Sequence, residues 1–346
     1  MELVDLTIKE YIFYLALNFE QQAYSKPTKN TKPQMKTKKS LFSVKNILAS
    51  VVMVFVFLAS CQNNSSILTA TDTQNVNAES ASASFANEST EMASSAVGGV
   101  FTSTYNGGRI SGGPVPIAGL GSRDDRLQCA TITVFSTGTK DAPAGTVTID
   151  FGTAGTCNDP HGVTRKGKII VTYSGMRWAV GSFINVRLVN FYRNTTHVEG
   201  NLTLTTQTSA DSLHLQFESV LDSGKVTFGD GKFITRIHDL TRVWIRSAVP
   251  FNDQWITLAN TPNSSNGSSA GMAKDGKIYT TQITKQLIEK VSCMTKKVFI
   301  PVSGTKLVTV GNQQYLVNYG DGTCDNIITV TLNGKQKQIT VTAEGN

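Results

Sequence analysis

The sequence predicts an all-β body, an antiparallel meander forming a sandwich or a strongly curved sheet. Three observations predict it. Short runs rich in β-branched and aromatic residues alternate apolar and polar positions with period two. Asp-Gly and Asn-Gly turn signals separate these runs. Four cysteines bracket two copies of one strand-pair pattern.

From Arg126 onward the runs follow one another. Lys168-Ile-Ile-Val-Thr-Tyr173, Asn201-Leu-Thr-Leu-Thr205, Leu213-His-Leu-Gln-Phe217, Val243-Trp-Ile-Arg246, Trp255-Ile-Thr-Leu258 and Ile327-Ile-Thr-Val-Thr-Leu332 each read as a strand. In the third, Leu213, Leu215 and Phe217 share one face, the pattern of a half-buried antiparallel strand. Gly229-Asp-Gly231, Lys274-Asp-Gly276, Gly320-Asp-Gly322 and Asn333-Gly334 supply positive φ for tight turns. Thr284 to Val291 fits a short helix or a strand equally well, and Asn260 to Gly271 reads as the longest loop.

The duplication joins residues 126–175 to residues 290–344. Cys129-Ala-Thr-Ile-Thr-Val-Phe135 and Cys293-Met-Thr-Lys-Lys-Val-Phe299 both fit C-x-T-x-x-V-F. Asp150-Phe-Gly-Thr-Ala-Gly-Thr-Cys157 answers to Asn318-Tyr-Gly-Asp-Gly-Thr-Cys324, and Gly167-Lys168 to Gly334-Lys335. Each unit reads as a hairpin with one cysteine near the start of its first strand and one just past the end of its second. Four cysteines allow three pairings, and the repeat favours Cys129–Cys157 with Cys293–Cys324. Each clip would contribute about 3–4 kcal/mol on a chain-entropy model.

The N-terminal part is a targeting region. Lys36, Lys38, Lys39 and Lys45 precede a twelve-residue apolar run, Ile47 to Leu58, which Ala59, Ser60 and Cys61 follow. That run is shorter than the roughly 20 apolar residues a membrane-spanning helix needs, and its flanks are those of a secretory signal. Leu58-Ala59-Ser60-Cys61 resembles the lipobox of bacterial lipoproteins, in which the signal is cut before the cysteine and the cysteine is acylated. On that resemblance residues 35–60 are the signal peptide, Cys61 is the lipid attachment site and Met35 is the true start. Residues 1–34 are then an upstream extension. Residues 61–99, dominated by Ser, Ala, Thr and Asn, are expected to form a disordered tether, because they hold few groups whose burial offsets ordering entropy.

Composition narrows function by exclusion. The whole chain carries 32 basic and 25 acidic residues, but residues 1–60 hold 8 and 4 of them. The remainder stands at +3, too little to argue for nucleic acid. His161, His197, His214 and His238 share no ligand spacing, and neither H-E-x-x-H nor G-x-S-x-G occurs. His161 beside Asp159 and His197 beside Glu199 read as turn or surface residues. Gly229-Asp-Gly231 and Asp321 to Asn326 read as turns rather than calcium loops. No cofactor and no catalytic set is expected. Trp178, Trp244 and Trp255, with Tyr173 and Tyr192, are the candidate ligand-binding aromatics, because rings on a sheet can stack on a sugar face. Asp211-Ser-Leu213 resembles an O-glycosylation acceptor of Bacteroidota.

The body as a whole resembles a group of uncharacterised Bacteroidota lipoproteins over nearly all of residues 125–346. The resemblance rests on Thr148-Ile-Asp-Phe-Gly152, residues 162–175, His197-Val-Glu-Gly200 and Tyr319-Gly-Asp-Gly-Thr-Cys-Asp-Asn326. It implies compartment and architecture, not an activity. Gln62-Asn-Asn-Ser-Ser66 lacks the acidic residues typical of surface export in that phylum, which favours the periplasmic leaflet of the outer membrane. The expected function is a non-enzymatic envelope lipoprotein with a ligand-binding body, a glycan being the leading ligand. A partner-docking subunit of an outer-membrane complex is the alternative, and a hydrolase the third reading. N-terminal sequencing of the unprocessed precursor, with lipoprotein signal peptidase inhibited, is expected to begin at Met35; a chain beginning at Met1 would refute the internal start.

Overall fold

The computed structural model describes residues 68–103, 115–116, 124–176, 178–260 and 267–342. The proposed extension 1–34, the signal 35–60 and Cys61 lie outside them. The strands are β1 (Val115–Pro116), β2 (Thr131–Ser136), β3 (Ala144–Asp150), β4 (Cys157–Asn158), β5 (Thr164–Ser174), β6 (Phe183–Arg193), β7 (Thr196–Thr206) and β8 (His214–Thr227). They continue as β9 (Phe233–Ile245), β10 (Gln254–Thr257), β11 (Ser268–Met272), β12 (Ile278–Lys290), β13 (Ser303–Val310), β14 (Gln313–Asp321), β15 (Ile327–Leu332) and β16 (Lys335–Thr340). All sixteen join one antiparallel sheet in almost strictly sequential order. Of the two architectures predicted, the protein takes the single curved sheet.

Local chemistry explains the path. Residues Phe228 to Lys232 close the β8–β9 turn with Gly231 at φ +78°, and Asn333-Gly334 close the β15–β16 turn at φ +49° and +76°. Burial alternates residue by residue along β3 and β13, as period two requires. Thr284 to Val291, ambiguous in sequence, is mostly strand, in the C-terminal half of β12. The loop expected over 260–271 is partly strand as well. β10 and β11 occupy one position in turn, each pairing with both β9 and β12. β11 has no bulky core residue because there is no room for one. A Cβ at Gly271 would lie 2.0 Å from the Thr235 carbonyl oxygen.

The duplication is physical. Cys129 pairs with Cys157 and Cys293 with Cys324, at Cα separations of 5.3 and 5.2 Å. One bond brackets the β2–β3 hairpin and the other the β13–β14 hairpin. Both hairpins end alike. The Asp150 side chain accepts from the Gly152 N–H at 2.9 Å, and the Asn318 side chain from the Gly320 N–H at 2.9 Å. Phe151 and Tyr319, between them, are buried. The two Gly-Lys pairs are not equivalent: Gly167 sits at a bulge inside β5, whereas Gly334 is in a turn.

The largest departure from expectation is in the tether. From Ala70 to Ser103 the chain is a 34-residue helix, α1, about 51 Å long at 1.5 Å per residue. Its start is a capping box. Thr69 Oγ1 accepts from the Asp72 N–H at 3.1 Å, and Asp72 Oδ2 accepts from the Thr69 N–H at 2.9 Å. From Asn75 to Ser82 every residue is buried, and Phe85, Met92, Val97 and Val100 are buried further along. The sheet wraps this helix. Asn77 bonds to Thr342 after β16, Ser80 meets Tyr319 of β14, and Asn87 donates to Glu289 of β12. Ser, Ala and Asn, read as tether composition, are here the small residues that let strands approach a helix from several sides. Polar groups that composition counts as solvated have partners instead: the Ser89 and Thr90 hydroxyls donate to the carbonyls of Phe85 and Ala86, each at 2.8 Å.

A proline within α1 separates the two views. Ala83→Pro is expected to cost at least about 3 kcal/mol in urea unfolding of the full chain. A tether would accept the same change without a shift in midpoint.

Candidate functional site

Charge is the first notable feature inside the sheet. Glu79 of α1 accepts from Arg236 Nη1 of β9 at 2.8 Å and pairs with Lys306 Nζ of β13; all three side chains are buried. Glu88 pairs with Arg165 Nη2 of β5, and with Arg193 Nε of β6 at 3.2 Å. Arg165 is held from its other side by Asp159 at 2.5 Å. Glu91 meets Arg126 Nη1 at 3.2 Å, and Arg126 also meets Asp124 at 2.8 Å. Arg242 of β9 pairs with Glu289 of β12 at 2.6 Å. Three carboxylates on one helix are thus met by cations from four strands and from Arg126 in the helical turn before β2.

The titration behaviour follows. Burial pushes the Glu88 carboxyl up, but the guanidinium groups of Arg165, Arg193 and Arg126 outweigh it and hold the carboxyl at about 2. At Glu79 burial is likewise outweighed, by Lys306 and Arg236, so its pKa lies below the usual carboxylate value. Glu91 goes the other way. Burial and the neighbouring Glu289 raise it, and Arg126 and Arg242 only partly compensate. His238 is driven well below its ordinary value by burial and then by Arg236 and Arg242. It is therefore a neutral imidazole at pH 7, accepting at Nδ1 from Arg236 Nε at 3.3 Å.

The three tryptophans come together at one end of the sheet. Trp244 of β9 and Trp255 of β10 are direct cross-strand partners, stacked at 5.7 Å with 13° between their planes. Trp178, from the β5–β6 connection, sets its edge against Trp244 at 5.1 Å and against Phe217 at 5.8 Å. Leu204 and Leu215 complete this cluster. Trp178 has φ +69°, a conformation that bulky residues rarely adopt. Trp244 Nε1 donates to Asp253 at 3.0 Å. Trp255 is buried and its face is taken by Arg242, whereas Trp178 and Trp244 are half-buried. A cavity of about 40 Å³ lies beside Trp178, walled by Tyr173, Phe217 and Val97 of α1. The loops joining β5 to β6, β7 to β8 and β9 to β10 all lie at this end. They carry five of the ten large exposed apolar side chains among the described residues, Met176, Val180, Leu213, Val249 and Phe251, and Phe183 opens β6 beside them.

The remaining sequence candidates stay apart. Tyr192 stacks on His197 at 4.3 Å near the β6–β7 turn, away from the tryptophans. His161 Nε2 bonds to Asp125 at 2.7 Å and His214 Nδ1 to Asp211 at 2.8 Å. Asp230, Asp321 and Asp325 each cap a backbone N–H two residues on. The Asp211 side chain does the same for Leu213 and His214. Among the described residues no three His, Cys, Asp or Glu side chains gather to hold a metal ion.

Two features escaped sequence reading. Thr69-Ala-Thr-Asp72 is a capping box, legible in principle, ahead of a helix that composition hid. Along β9 the inward set is Ile234, Arg236, His238, Leu240 and Arg242, with Ile237 outward. The alternation was present, but its inward face is the charged one. Comparison with family models, with curated proteins and with solved structures finds no match to this chain.

Removing one carboxylate tests the network. Glu88→Gln leaves buried guanidinium groups undercompensated and is expected to cost about 3 kcal/mol in urea unfolding. Because the folded Glu88 pKa is depressed, its contribution is fully present above about pH 4.5 and is lost as pH falls toward about 2. The wild-type midpoint should fall across that window more steeply than that of Glu88→Gln. Parallel curves would show that Glu88 carries none of the acid sensitivity.

Proposed function

We propose that this chain is a lipid-anchored envelope protein whose β-body binds a ligand without catalysis at the tryptophan end, the ligand being a glycan. The observation that carries the reading is the convergence of Trp178, from the β5–β6 connection, and Trp244, from β9, beside a rim of apolar side chains. Aromatic rings with apolar faces and polar edges suit a sugar, whose C–H face packs on the ring while its hydroxyls find polar partners. Asp253, Ser174, Ser182 and Thr206 supply such partners nearby. The unusual φ of Trp178 supports it, since strained backbone concentrates at ligand sites. The lipid anchor rests on Leu58-Ala59-Ser60-Cys61 alone.

A second reading, a docking subunit of an outer-membrane complex, is favoured by the rim itself. Apolar side chains gathered at three adjacent loops are a common mark of protein contact.

Thermal shift of the mature chain against polysaccharides and peptidoglycan fragments tests the first reading. One glycan class is expected to raise the midpoint in a concentration-dependent way, and Trp178→Ala with Trp244→Ala should abolish the rise. A flat panel, with in-cell cross-links from Leu213 or Phe251 to another envelope protein, would replace it with the second.

A further inference from the structure

We propose that a second cavity, enclosed by α1, the start of β5 and the segment after β12, is a binding site for a small oxyanion: a phosphate, a sulfate or a carboxylate carried on a sugar. The site shares only Trp255 with the tryptophan cluster and does not depend on the glycan reading.

The cavity measures about 100 Å³. That is roughly three times a water's share of the liquid, enough for one such group. Its walls bear charges of both signs, and each carboxylate meets at least one cation. Glu88 and Asp159 hold Arg165, Glu91 holds Arg126, and Glu289 holds Arg242. The cations are left with donors to spare. Arg165, whose side chain is 2% exposed, keeps an Nε–H with no partner at the wall. Lys290 Nζ meets one carbonyl, that of Gly322 at 2.7 Å. Lys297 is exposed and forms no ion pair among the described residues. Just behind Trp255, Arg242 keeps Nε–H and Nη1–H unmatched. Asp321, whose carboxyl feels the Lys290 charge, accepts from the Thr323 hydroxyl at 2.7 Å. Surplus N–H donors with positive charge call for a ligand of acceptor oxygens with negative charge.

The placement of the two lysines gives a role to a stretch the turn reading left idle. In Gly320 to Asn326, the Gly322 carbonyl fixes the Lys290 ammonium. Asn326 Nδ2 donates to the Lys297 carbonyl at 3.0 Å, holding Lys297 at φ +59°. The Cys293–Cys324 bond ties that stretch to the cavity wall, which Cys293 lines. Two lysines of the second repeat and an arginine of the first, Arg165, thus line one cavity together with α1.

The test uses the mature chain, with inorganic phosphate, inorganic sulfate and galacturonate, and sodium chloride at matched ionic strength. At a tenfold excess over the dissociation constant, at least one oxyanion is expected to raise the midpoint about 4 °C above the chloride control. Lys297→Gln, at an exposed position, and Lys290→Gln should each weaken binding by about tenfold, and Lys297→Arg should restore it. Phosphate and sulfate also stabilise proteins by exclusion from the surface, an effect Lys297→Gln would share with wild type. The difference between the two proteins is therefore the readout. A response to galacturonate alone assigns a sugar-borne carboxylate; a response to the inorganic ions assigns a tetrahedral anion. Shifts equal to chloride for all three, or shifts undiminished in Lys297→Gln, overturn the proposal.

Discussion

The buried pairing of α1 carboxylates with sheet cations is the constraint from which the rest of the structure follows. Glu79, Glu88 and Glu91 sit on one helix, and Arg236, Lys306, Arg165, Arg193 and Arg126 reach them from separate strands and loops. A buried pair adds little net stability, because desolvation of both partners offsets their attraction. Leaving either partner alone is costly. The network therefore works as a specification of register. Sliding the helix by one turn would strand three carboxylates and their partners together, so the helix has one seat.

That seat explains the curvature of the sheet. A flat sheet could not deliver Arg165 from β5, Arg236 from β9 and Lys306 from β13 to the same helix. The bulges at Gly167, near Asn190 and after Leu221 let the long central strands bend. Gly167 is needed there for a steric reason: a Cβ would fall 2.0 Å from the Asn190 carbonyl oxygen. The two disulfides hold the hairpins at either side of this wrap, one in each repeat.

The sheet was legible in the sequence because its determinants are local. Asp-Gly and Asn-Gly set turns by their own backbone preferences, and Ile328, Val330 and Leu332 mark an inward face by simple alternation. The cysteine pairing was legible because it occurs twice. α1 was not, because nothing in Ala78 to Ala96 announces a partner: small and polar residues gain from burial only when strands supply matching groups from elsewhere in the chain. The tryptophan cluster lay between these cases. The residues were identifiable by type, but the stacking of Trp244 on Trp255 depends on a β9–β10 register, and the burial of Trp255 on Arg242. The oxyanion cavity was hidden for the same reason as α1, since Arg165 and Lys297 are 132 positions apart.

The position of α1 in the chain has a kinetic consequence. The helix precedes the described strands, but part of what holds it comes late: Arg236 is 157 residues downstream of Glu79, and Thr342 is 265 downstream of Asn77. An isolated segment of such composition has little reason to stay helical in water. Its N-terminal half therefore stays incompletely held until the final hairpins have formed, and closure of the sheet around it is a late event dominated by contacts distant in sequence. Folding of this chain cannot proceed from its N-terminus forward. It is expected to be slow for its length, as chains rich in non-local contacts are, with the open sheet edge and the unseated helix both exposed to proteases and to other chains during that interval.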